Sequence, residues 1–182
     1  MSQLYVDTIT EKTLGNGVQI ADLVPAAGSV VQVQLGNSIT TQGSTSSSFT
    51  DTGITVNITP TSSSSKIYVT ASVNASGENG QRFGARFVRV DGATSTVIGE
   101  ANAAGNRTLA NAAGVGGGAN QMDASLTMQA LDTPSTTNTL TYKVQMLSEG
   151  STGYEVNRSW LDADVNSIFR TSSQICVMEI AQ

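Results

Sequence analysis

The chain has 182 residues, a formal net charge of −5 and only 13% charged residues, with no histidine and one cysteine, Cys176. That inventory excludes disulfide frameworks, Cys/His zinc sites and histidine acid–base chemistry. The 9 basic residues are scattered singly and form no track for a nucleic acid.

From the N-terminus, LYVDTI and VQIADLV read as strands joined by the polar turn EKTLGNG, whose Gly15-Asn16-Gly17 supplies left-handed backbone positions. Val24-Pro25 and Ala26-Ala27-Gly28 break the pattern and form a linker. Two strands alone cannot bury a core, so residues 1–28 are predicted to be a β arm lying against its own domain, sibling chains or a partner.

The segment SVVQVQL places Val31, Val33 and Leu35 on one face of a strand, and the Ser/Thr stretch from Ile39 to Ser48 reads as a loop. Ile54, Val56 and Ile58 alternate with polar residues, as do Ile67, Val69, Ala71 and Val73 after a Pro-led serine run. Strand side chains alternate between faces, so each of these runs buries one side and wets the other.

QRFGARFVRV sets Phe83, Ala85 and Phe87 together, with Arg82 and Arg86 on one solvated or interface-paired face. TSTVIGE is a shorter candidate strand. Ala101–Ala119, cut by Gly105, Gly114 and Gly116–Gly118, reads as a long loop around a short strand. DASLTMQALD, TLTYKVQML and QICVMEIA supply the remaining strands, with a single turn at Ser159–Val165 anchored by Trp160 and Leu161. About eight strands with turn signals between them predict an all-β fold, an antiparallel β-sandwich of jelly-roll type over residues 29–182. Strands with so few charged gatekeepers leave edges that a homo-oligomer would hide.

Motifs with chemical associations are present but incomplete. Asp51-Thr52-Gly53 matches an aspartic-protease tripeptide, yet no second copy exists to share a proton, so it reads as a strand-starting turn. Asp162-x-Asp164-x-Asn166 matches the first ligands of a calcium loop, but Ser167 and Ser173 stand where Gly and Glu are needed. Nothing in the spacing pairs Glu78, Glu100, Glu149, Glu155 or Glu179 as a glycosidase needs. Glu179 is expected to be buried against an arginine at an interface, and Cys176 to be a small core residue. Accordingly no catalytic, cofactor-binding or metal-binding residues are assigned, and the chain is not expected to be an enzyme. No charged-then-apolar leader and no span-length apolar run are evident, which predicts a protein made soluble in a cytoplasm, without membrane insertion.

SQLYVDTITEKTLGNGVQIADL resembles the short opening module of many tailed-bacteriophage fibre and appendage proteins, especially those of marine phages. GSVVQVQLG, TDTGITVNITPTSSSSKIYVTASV, LDTPSTTNTLTYKVQM and ICVMEIAQ resemble, in that order, the body of the same virion proteins, whereas Gly77–Asn120 has no such likeness. The resemblance implies a virion structural protein, a β-rich homotrimer without catalytic residues, attached to other virion proteins of the head, neck or tail. On this reading the arm docks on the virion and the sandwich forms a trimeric knob, with Ala101–Asn120 and Ser148–Arg158 as the loops for a host-surface glycan or receptor. The alternative is a capsid decoration or cement protein.

Overall fold

The computed structural model describes residues 25–117, 124–150 and 152–182; the strand-like segments expected within residues 1–24 lie outside them. Eleven strands run in chain order: β1 (Val30–Ser38), β2 (Gln42–Ser44), β3 (Thr50–Ile58), β4 (Lys66–Gly77), β5 (Arg82–Asp91) and β6 (Thr94–Ile98). They continue as β7 (Ala112–Val115), β8 (Ala124–Asp132), β9 (Leu140–Ser148), β10 (Tyr154–Val156) and β11 (Ser173–Ile180). Among the described residues no helix is long and apolar enough to cross a membrane.

All pairings are antiparallel, and the strands form two sheets. In the first, β1, β11, β4 and β8 lie side by side, with β10 continuing the line of β11 along β4 and β2 pairing β10. In the second the order is β3, β9, β5, and then β6 and β7 share the far edge of β5. The chain crosses between sheets after β2, β3, β4, β7, β8 and β9, and the strand orders β1-β11-β4-β8 and β3-β9-β5-β6 are those of a jelly roll.

The alternating runs explain the packing. Ile54, Val56 and Ile58 of β3 face Ile67, Val69 and Val73 of β4 across the sandwich, joined by Phe83, Phe87, Leu140, Tyr142 and Ile175. Each such side chain removed from water contributes about 1.5–3 kcal/mol, which is why the inward register is fixed: a one-residue slip would turn the whole set outward. Asp51-Thr52-Gly53 lies inside β3 as a bulge, with Gly53 at φ 73° and the pairing with β9 shifted between Asp51 and Thr55. Thr52 keeps the inward alternation of Ile54, Val56 and Ile58, and its hydroxyl donates to the Val144 carbonyl at 2.8 Å.

Several expectations are corrected. β1 carries a bulge between Val30 and Gln32, so Val31 leaves the face of Val33 and Leu35, and those two point to solvent at 52% and 62% exposure. The inward positions of β1 are Gln32, Gln34 and Gly36, opposite Glu179, Val177 and Ile175. Cys176 is half-buried on the outer face, not in the core. Glu179 is fully buried, but its partners are Gln32 and Thr61 and not an arginine. The segment 159–165 forms bends and turns without a helical turn.

The two ends of the sandwich differ. One end carries Pro25–Ser29, the serine loop 59–65, the β5–β6 turn, the β8–β9 loop and Ala181, since β1, β5, β8 and β11 begin or end there in register. The other carries the β1–β3 connection with β2, the β4–β5 turn and the long segment between β9 and β11.

Candidate functional site

At this second end, β2 and β10 pair through Tyr154↔Ser44, Glu155↔Gly43 and Val156↔Gln42. With the following turn they wall an open, mainly polar cleft of about 640 Å³, whose chemistry comes from Glu155, Arg158, Trp160 and Asp162. The Arg158 guanidinium grips both Glu155 oxygens, at 2.7 and 3.0 Å, and reaches Asp162 at 3.5 Å. Arg170 takes the same Asp162 Oδ2 at 2.5 Å. Trp160 lies half-buried beside them, its indole N–H without a partner among the described residues.

The floor of the cleft is held by Asn157, fully buried and at φ 62°. Asn tolerates this left-handed conformation better than most side chains. Its carboxamide donates to the Ser38 and Thr40 carbonyls at 2.9 and 3.0 Å and accepts from the Ser173 hydroxyl at 2.6 Å. One side chain thus ties the exit of β1 to the entry of β11 beneath the cleft.

Both cleft carboxylates are occupied by guanidinium groups, so neither is a free base facing the other. Asp162, the first position of the calcium-like motif, is neutralised by two arginines, and the described residues contain no group of three or more His, Cys, Asp or Glu placed to hold a metal.

Of the other carboxylates, Glu100 pairs with Arg86 at 3.6 Å and Glu149 with Arg82 at 3.0 Å. Burial pushes the Cys176 thiol up, away from thiolate. Inside the sandwich, Arg89 donates to both oxygens of Asp132 at 2.8 Å, and the Tyr142 hydroxyl donates to Asp132 at 2.7 Å. Burial, then the bond to Asp132, raises the Tyr142 pKa far above its ordinary value, so Arg89, Asp132 and Tyr142 form a closed structural trio.

The two outer faces contrast in charge. On the β3-β9-β5 sheet Asp51 pairs with Lys143 at 2.7 Å, and Arg86 bonds Gln145 and stacks 4.0 Å above the Phe49 ring. On the β1-β11-β4-β8 sheet, the outward positions carry Lys66 as their one charge.

Sequence reasoning placed Ser148–Arg158 in a binding loop, and that segment does form one wall of the cleft; Ala101–Asn120 does not line it. The contributions of Thr41–Thr45 and Asp162 escaped it, because they come together only through the β2–β10 pairing. No protein-family model and no curated protein matches the chain.

Proposed function

We propose that this chain is a non-enzymatic structural subunit of a tailed-bacteriophage particle, a homotrimeric fibre or appendage protein held by its N-terminal arm. The resemblance of its segments supports the class. The observation that carries the reading further is the polarity of the sandwich: the chain enters at Pro25 at one end, and the Trp160 cleft opens at the opposite end. A knob tethered at residues 1–24 therefore presents the cleft away from its anchor.

Trp160 offers an apolar ring with a free donor, and the Glu155–Arg158–Asp162 network offers fixed polar edges. That combination suits a polyhydroxylated ligand such as a host-surface glycan. The test is removal of residues 1–24, which leaves the Gly28–Ala181 hydrogen bond intact. The truncated protein should fold, and should be missing from purified particles by mass spectrometry. Normal incorporation would sink the arm reading, and immunolabel spread over the head in hundreds of copies would favour the decoration alternative.

A further inference from the structure

The outward positions of the β1-β11-β4-β8 sheet are in register across all four strands. Val33 pairs Met178, Met178 pairs Tyr68 and Tyr68 pairs Leu131, giving one continuous row of large side chains. The next rows are Val30–Ile180–Lys66 on one side and Leu35–Cys176–Thr70–Gln129 on the other. Beyond these the face becomes polar, through Asn37, Gln174, Ser72 and Thr127. Val30, Val33, Leu35 and Leu131 are between 52% and 62% exposed. Scattered exposed apolar residues are ordinary, but a contiguous row this wide marks an interaction surface.

We propose that this face is where copies of the chain meet, with the Val33–Met178–Tyr68–Leu131 row at the centre of the contact. The inference rests on the oligomeric reading above and names its surface. Charge selects the occupant. A second copy carries the same net charge of −5, so two copies are best brought together over a face without carboxylates, and this face has none. The opposite sheet, with Asp51, Arg86 and Lys143 at its surface, would oppose fixed charges to fixed charges. Size agrees as well. Strands about 4.8 Å apart and a rise of about 3.3 Å per residue make the face roughly 20 by 20–25 Å. That projected area, about 400–500 Å² per copy, meets the lower bound of roughly 1,000 Å² in total for a specific interface.

The test uses the purified full chain, its Leu131→Glu variant and an Asn57→Glu control on the other sheet. Mass is read by light scattering across micromolar concentrations, and maleimide labelling of Cys176 reports cover over the face. The wild type and the control should be multimers with slow labelling. Leu131→Glu should keep its circular-dichroism spectrum, dissociate at concentrations about tenfold higher or more, and label fast.

A multimer that is indifferent to Leu131→Glu and labels freely overturns the face while leaving oligomerisation standing. A monomer that labels freely overturns both. A monomer whose Cys176 becomes reactive only when residues 1–24 are removed would show that the chain covers its own face, and the inference falls.

Discussion

The Glu155 carboxylate folds back over Gly43, its cross-strand partner, and fills the space a β-carbon would need. The absence of a side chain on β2 is therefore what lets Glu155 reach Arg158 and shape the cleft. Gly43→Ala should push the carboxylate off Arg158, at a cost of about 1 kcal/mol for a partly buried ion pair. Trp160 is the chain's one tryptophan, so its emission should shift toward the red as the wall loosens. An unchanged spectrum would argue that Glu155 does not organise the cleft.

Asn157→Ala should be among the most damaging single changes. It removes the amide donors from the Ser38 and Thr40 carbonyls and the acceptor of the buried Ser173 hydroxyl, which keeps only the bond from the Asn74 N–H, and it leaves alanine at a positive φ. Unpaired buried polar groups cost about 1–3 kcal/mol each, so denaturant unfolding should show a loss of roughly 2–4 kcal/mol.

Gly36 of β1 passes so close to β3 that a β-carbon there would overlap the Thr55 carbonyl oxygen, with Ile175 Cγ2 at 3.0 Å. Backbone cannot rotate away as a side chain can. Gly36→Ala should cost about 1–3 kcal/mol by overpacking, seen as a drop of roughly 4–10 °C in Tm.

Burial by itself would raise the Glu179 pKa, but hydrogen bonds from Gln32, Ser65 and Thr61 outweigh it and hold the carboxyl below its ordinary 4.5. A folded-state value below the unfolded one stabilises the protein at higher pH. The contribution is complete above about pH 4.5 and disappears as pH falls through the lowered value. Glu179→Gln should thus be less stable at pH 7 by about 1–3 kcal/mol, and the gap to wild type should narrow as pH falls below 4.5 in urea titrations. A gap that stays constant with pH would show that the carboxylate charge contributes nothing.

The strands with inward apolar alternation, β3, β4, β5, β8, β9 and β11, were legible in the sequence because period-two patterning and burial coincide in them. β1 shows the limit of that signal. Periodicity says that Val33 and Leu35 share a face, but not which way the face points. Here the inward side is claimed by Gln32, which donates to buried Glu179 at 2.7 Å, and by Gly36, which the close approach of β3 requires. β2 and β10 are three residues each, QGS and YEV, too short for any alternation. The cleft they wall was accordingly hidden, since its halves lie more than a hundred residues apart and meet only where β2 pairs β10.

The hydrogen bonds that bind Gly28 to Ala181 and Ala181 to Ser29, at 2.8 and 2.9 Å, close the seam where the chain enters β1. Beyond them β1 runs the length of the sandwich beside β11, from Val30↔Ile180 to Ser38↔Ser173. A pull on residue 25 directed away from the sandwich, resisted at the cleft, acts along this ladder. The bonds are then loaded together in shear and cannot open one after another like a zip. Tethered at that end, the sandwich would be gripped in its mechanically strongest direction.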